Sequence, residues 1–261
     1  MKNFLILVIC VLTLSSVIAQ EKGTYQADSI YKTNNVKLRK WYMGTNKKLG
    51  VITYYDKEGR LTKYQVKMNL GATDKTTHYQ YGSNGQLESI VDSIKYGEPD
   101  KKEIKSLKKM GINPNMLLGD INNKPQLEVS KYDLVYESDE LIKITKYNPD
   151  GTLDFIDNFK NNGKIQERAL YRNGELYRIS FTEYLIPNHK AKFYGWEMSS
   201  GKKSEWNYSF EYELENGLVK SYARFDNGKE METVEYFYDD NGLLLKTKGN
   251  ILEQFEYQFY E

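Results

Sequence analysis

Residues 54–64 read YYDKEGRLTKY, and the fold turns on how this stretch is understood. Taken alone, Asp56 between tyrosine and glycine can pass for an acid-bearing site. Its near-copies say otherwise. The pattern aromatic–x–x–(Asp/Asn/Glu)–Gly–x–(Leu/Ile) fits YDKEGRL at 55–61 and returns as YGSNGQL at 81–87, YNPDGTL at 147–153, FKNNGKI at 159–165 and YDDNGLL at 238–244. YRNGEL at 171–176 and FDNGKEM at 225–231 are shortened, YELENGLV at 212–219 is lengthened, and YESDEL at 136–141 has lost its glycine. A segment repeated on this scale is a building unit before it is a site.

Each position has a local reason. Gly59 supplies the positive φ of a tight turn. An Asp or Asn nearby tolerates the left-handed region and bonds its own backbone. Asp-Gly and Asn-Gly between alternating segments are a strong hairpin signal. Gly59, Gly85, Gly151, Gly163, Gly174, Gly217, Gly228 and Gly242 are therefore assigned to turns. The aromatic before each turn and the Leu or Ile after it, Tyr55 and Leu61 for example, are expected to meet as a cross-strand pair.

Between the turns the sequence alternates. WNYSFEYEL places Trp206, Tyr208, Phe210, Tyr212 and Leu214 on one face and Asn207, Ser209, Glu211 and Glu213 on the other. This is the period of half-buried antiparallel strands. The chain reads as mainly all-β: a long curled antiparallel meander, or open barrel, of repeated hairpins. A β-sandwich is the competing arrangement that alternation alone cannot separate. Residues 99–118 break the pattern. There Ile104, Leu107 and Met110 form an apolar stripe among lysines, and Gly111 is placed to end a helix. The expected role of this helical insert is to cover an open edge or end of the sheet; the competing role is a lid or a partner-binding helix.

The turn segments resemble the YD repeats of Rhs-type proteins and, more loosely, the MORN-variant repeats of bacterial secreted proteins. YDKEGRL and YDDNGLLLK are the best matches, and degenerate copies extend the resemblance from about residue 50 onward, interrupted by the helical insert. The resemblance implies a β-rich repeat shell or sheet exported by a bacterium and used as a scaffold or encapsulating surface. It does not imply catalysis.

Residues 1–19 have the features of a secretory signal: Lys2, an apolar run from Phe4 to Leu14, and small residues leading to cleavage between Ala19 and Gln20. The apolar run is too short to serve as a membrane span, so none is expected after its removal. Residues 20–35 are a leader of uncertain order, and 36–261 form one domain. Cys10 is the single cysteine and lies in the signal, so the exported chain has no disulfide or cysteine–metal site. Lys+Arg number 37 and Asp+Glu 36, and Lys2 leaves with the signal, giving formal neutrality. That balance offers no basic surface for nucleic acid. Tyrosine stands out at 23 of 261 residues; it favours strands and can bury its ring while wetting its hydroxyl.

Motifs that carry chemistry are missing. His78 and His189 are far apart, with no metal-ligating spacing, and a zinc site needs more ligands than these supply. No Ser–His–Asp arrangement, GxSxG elbow or phosphate-binding glycine loop is present. No catalytic residue, metal or cofactor is assigned. A carboxylate pair for glycoside hydrolysis leaves little trace in a sequence, and the acids of YDD at 238–240 and ESDEL at 137–141 serve equally as turn acids. The candidate binding residues are aromatic: Trp41, Tyr42, Tyr194 and Trp196, as ring platforms or as core anchors. The expected function is that of an exported, non-enzymatic interaction or scaffold module, periplasmic or secreted, meeting a protein or glycan of the cell envelope. The rivals are a glycan hydrolase and a carrier of an apolar ligand inside the curled sheet.

Overall fold

The computed structural model describes residues 29–68, 73–97, 101–109, 111, 113–114, 127–161, 164–186, 190–215 and 217–261. It has two short helices, α1 (Ser29–Thr33) and α2 (Lys101–Lys109). The first strands are β1 (Val36–Met43), β2 (Lys48–Tyr55), β3 (Leu61–Met68), β4 (Thr73–Tyr81) and β5 (Leu87–Tyr96). After α2 come β6 (Leu127–Glu137), β7 (Glu140–Tyr147), β8 (Leu153–Lys160), β9 (Ile165–Arg172), β10 (Glu175–Ile186) and β11 (Lys190–Ser199). The series ends with β12 (Lys202–Glu215), β13 (Leu218–Asp226), β14 (Lys229–Tyr238), β15 (Leu244–Lys248) and β16 (Leu252–Phe259).

Every strand pairs antiparallel with its neighbours in sequence, and β1 pairs with β16, Trp41 opposite Phe255. The expected curled meander is thus a closed barrel. Closure removes the open edges that an antiparallel sheet must otherwise protect. It leaves α2 no open edge to cover, and of the edge and the end it was expected to cover only an end exists in a closed barrel. Helix α2 lies inside the expected 99–118 and is carried in the β5–β6 connection; Met110 and most of the remaining segment fall outside the described residues. So do Ala19, Gln20, Gly163 and His189.

The copies at 55–61, 81–87, 136–141, 159–165, 212–219 and 238–244 turn at the end of the barrel where α1 sits, and those at 147–153, 171–176 and 225–231 turn at the other. Gly59 has φ 76 and Gly242 φ 79. Asp56 Oδ1 accepts the amides of Glu58 and Arg60, both at 2.9 Å, and Asp239 Oδ1 accepts those of Asn241 and Leu243 at 2.9 and 2.8 Å. The expected aromatic–leucine pairs form at Tyr55/Leu61, Tyr81/Leu87 and Tyr238/Leu244, and at the opposite end at Tyr147/Leu153. FKNNGKI differs: Phe159 faces Gln166, and Ile165 faces Lys160.

The tyrosines do more than pair. Tyr81 donates its hydroxyl to the Leu61 carbonyl at 3.0 Å, Tyr136 to Leu87 at 2.6 Å, Tyr238 to Val219 at 2.9 Å and Tyr257 to Leu244 at 2.8 Å. In each case the acceptor is the residue that closes the preceding turn at this end. Tyr260 donates to the Tyr55 carbonyl at 2.6 Å across the closing seam. Four hairpins at this end are therefore tied to the one before by a half-buried ring and a hydrogen bond. Val36, Tyr55 and Leu243 pack here against Ile30 and Tyr31 of α1.

Candidate functional site

Register carried around the barrel assigns the faces. Trp41 faces inward with its neighbours Val51 and Phe255. The same parity runs through Thr77, Asp92, Ser130, Ile144 and Asp157 to Arg168, Ser180, Gly195 and Trp206. Most strands put apolar residues inside. Strand β10 reverses the rule over residues 178–182, with Arg178, Ser180 and Thr182 inward and Ile179 and Phe181 outward, and returns to it at the inward Tyr184. Its partner β11 turns Tyr194, Trp196 and Met198 outward and leaves Gly195 and Glu197 inside. One pair of strands thus makes an apolar patch outside and a polar wall inside.

The patch is a row across four strands: Ile156 (β8) opposite Ala169 (β9), Ala169 opposite Ile179 (β10), and Ile179 opposite Trp196 (β11). Beside it Phe181 and Tyr194 are stacked, with centroids 5.0 Å apart and rings 15° from parallel. The flanking Ile156 and Ile179 leave Ala169 only 7% exposed. Charges of both signs border the patch; Lys203 lies 5.5 Å over the Trp196 ring and pairs with Glu205 at 2.7 Å.

Inside, polarity divides the barrel by height. The α1 end is aromatic and aliphatic. Toward the other end the inner wall carries charge. Asp92, 1% exposed, accepts from Thr77 and from Tyr132 (2.7 Å), and meets Lys75 at 2.8 Å and Lys146 at 3.2 Å. Burial pushes its pKa up, but the two ammonium groups and the hydrogen bonds from Lys75 and Thr77 outweigh this and hold it below the usual value. Lys146 also reaches Asp154 at 2.8 Å. Asp157 is clasped bidentately by Arg168 at 2.7 and 2.6 Å. Asp92 and Asp157 are each matched by a cation, as burial of an ionised carboxylate requires.

Further round, Glu253 is 8% exposed and accepts from Thr247 at 2.7 Å. Burial raises its pKa; Thr247 and the Trp41 side chain lower it, Glu232 raises it, and Arg39 lowers it, leaving a net upward shift. Glu232 lies 3.7 Å from Arg224 and accepts from Asn250 at 2.9 Å. Between these clusters, Arg178 lies 4.9 Å over Trp206 and 3.7 Å from Glu197, and Arg224 lies 5.7 Å over Tyr208.

The four aromatic candidates separate. Trp41 is an inner core residue, 8% exposed, packed with Val51, Tyr236 and Phe255. Tyr42 is on the outer face of β1, where it donates to Glu256 at 2.9 Å. Tyr194 and Trp196 come together on the outer patch. His78 is on the outer face between Lys63 and Val91, and among the described residues no cluster of His, Cys, Asp and Glu could hold a metal. Sequence reasoning missed the inner residues Arg178, Glu197 and Arg224. Of the three only Arg178 lies in a clear alternating run, RISFTEYL at 178–185, and which face of that run turns inward is fixed by pairing with β9 and β11.

No family model matches the chain, and no curated protein matches it. Among solved structures it is similar to a porin-like protein from Bacteroides uniformis, with a TM-score of 0.34 and 12% identity over 85% of this chain and 98% of that one. At that score neither fold nor function is carried across.

Proposed function

We propose that this chain is an exported, non-enzymatic binding protein, a closed barrel that presents the outer face of β8–β11 to a polypeptide partner in the cell envelope. The observation that carries the reading is the row Ile156–Ala169–Ile179–Trp196 with the stacked Phe181 and Tyr194. An aromatic and aliphatic centre with a charged rim is the anatomy of a protein interface. The aliphatic members favour apolar side chains as the occupant, because they offer nothing to sugar hydroxyls.

The rest of the exterior supports an aqueous setting. Lys40, Lys63, Lys131, Asp133, Lys143, Glu211, Glu235 and Lys246 occupy outward positions of their strands. A membrane-spanning barrel has the opposite arrangement, an apolar band outside and polar residues within. With the secretory features of residues 1–19, this favours the periplasm or the medium. The resemblance to YD-type repeats fits a scaffold of this kind. The inner carboxylates fit structural roles, since Asp92 and Asp157 are engaged by cations.

The test is capture from the organism's own envelope extract by the chain lacking residues 1–19. A specific polypeptide should be retained, and Trp196→Ala with Phe181→Ala should lower its retention at least tenfold. Arg178→Met, on the inner wall, should leave it unchanged. Retention indifferent to the patch variants would overturn this assignment.

A further inference from the structure

The inner wall opposite the patch holds an unassigned arrangement. Among the described residues, three buried side-chain donors lack an acceptor: Arg178 Nε, Trp206 Nε1 and Arg224 Nε. All three belong to inward-facing residues of β10, β12 and β13. They are linked through rings. Arg178 covers Trp206 at 4.9 Å, Trp206 adjoins Phe193 at 6.0 Å, Phe193 is parallel to Tyr208 within 6° at 6.5 Å, and Arg224 lies over Tyr208 at 5.7 Å. Buried donors are ordinarily satisfied, so three orphans on one wall call for an explanation.

Three further observations point to a ligand. The arginine side chains are partly exposed, 24% for Arg178 and 17% for Arg224, and their carboxylate contacts are long, 3.7 Å to Glu197 and to Glu232. Such side chains can turn toward a guest without breaking a short ion pair. The rings of Phe193, Trp206 and Tyr208 are only half-buried, whereas Tyr222, Tyr236 and Phe255 along the same inner wall are buried. Gly195 stands opposite Trp206 and has no side chain; a Cβ there would lie 2.1 Å from the Ile179 carbonyl oxygen. Gly195 therefore sets no side chain opposite Trp206, and its Cβ position is taken up by the β10 backbone.

We infer that this wall binds a neutral saccharide. The three N–H groups need acceptor oxygens, Glu197 and Glu232 can take hydroxyl protons, and the rings offer flat faces to the C–H side of a sugar ring. A polyhydroxylated ring carries all three complements at once. An apolar guest would leave the donors unpaired. An anionic guest would meet Glu197 and Glu232, which already offset both guanidinium charges.

The experiment is titration of the chain lacking residues 1–19 with neutral mono- to tetrasaccharides of glucose, galactose, mannose and N-acetylglucosamine, followed by calorimetry. Inorganic phosphate and laurate serve as anionic and apolar controls. Saturable binding of at least one saccharide is expected. Trp206→Phe, which keeps the ring and removes the N–H, should weaken it about fivefold or more, and Arg178→Met about tenfold. Circular dichroism and the unfolding midpoint report whether each variant is folded. Trp196→Ala, on the outer patch, should bind the saccharide as wild type does, so the fate of this site is separable from that of the polypeptide interface. The inference is overturned if no saccharide binds, if only phosphate or laurate binds, or if folded Trp206→Phe binds as tightly as wild type.

Discussion

At the scale of single residues, Asp92 shows what the interior demands. It is almost wholly buried between Lys75 and Lys146. Removing its charge strands the two cations, and Lys146 keeps only Asp154. Breaking a buried pair from one side costs about 3 kcal/mol or more. Asp92→Asn should therefore lower the free energy of unfolding by about 3 kcal/mol at pH 7, as measured by denaturant titration. The pH dependence has a definite sign. The folded-state pKa of Asp92 is depressed, so its contribution is present above the unfolded carboxylate value and fades as pH falls through the folded one. Wild type should lose more stability than Asp92→Asn between pH 5 and about pH 2. Equal losses in that window would show that this carboxylate is not a linked group.

At the scale of elements, the motif that opens as YYDKEGRL is a turn at its centre and a fastener at its ends. Its tyrosine hydroxyl reaches the residue that closes the preceding turn, as in Tyr81 to Leu61 and Tyr136 to Leu87. Tyr81→Phe keeps the ring opposite Leu87 and removes this bond. The expected loss is about 1 kcal/mol, seen as a lower unfolding midpoint, with the far-ultraviolet spectrum unchanged. An unchanged midpoint would reduce the hydroxyl to decoration. Turns and strand faces of this kind were legible in the sequence because their causes are local: a glycine at positive φ, an Asp accepting amides two and four residues on, and a period of two in WNYSFEYEL. FKNNGKI shows the limit, since Phe159 and Ile165 obey the pattern and still pair elsewhere. YESDEL turns without glycine by placing Ser138 and Asp139 at positive φ. The site was less legible for a related reason. In β10 the alternation is present, but its apolar phase faces out, and the phase is set by register against β9 and β11 rather than by the strand itself. Tyr194 and Trp196 could be picked out as large rings near a turn; Arg178, Glu197 and Arg224 became visible only once the strands were placed.

At the scale of the whole molecule, closure is the step that no local signal announces. It joins residues 36–43 to residues 252–259, and the cost of such a distant contact is entropic rather than written in any motif. Once made, it gives the barrel an inside and an outside with opposite chemistry. The α1 end is packed with rings and aliphatic side chains, the other end is lined with charge, and the outer strand positions beyond β8–β11 mix lysine and glutamate with scattered apolar residues such as Val91, Val129, Val135 and Phe237. This disposition makes a firm prediction about the medium the barrel belongs in. A lysine or arginine on the lipid face of a spanning barrel costs about 2–4 kcal/mol at the bilayer midplane and less toward its surfaces, and the outward Lys63, Lys131, Lys143 and Lys246 would each add to that cost on insertion, so the proposed aqueous setting predicts that the barrel stays out of lipid. The chain lacking residues 1–19 should stay in solution without detergent and should remain at the bottom of a density gradient when mixed with phosphatidylcholine–phosphatidylglycerol vesicles. A chain that floats with the vesicles, and stays with them through alkaline carbonate, would show that the outer charges are accommodated in lipid. The aqueous reading of the barrel, and the exposed patch that depends on it, would then fail together.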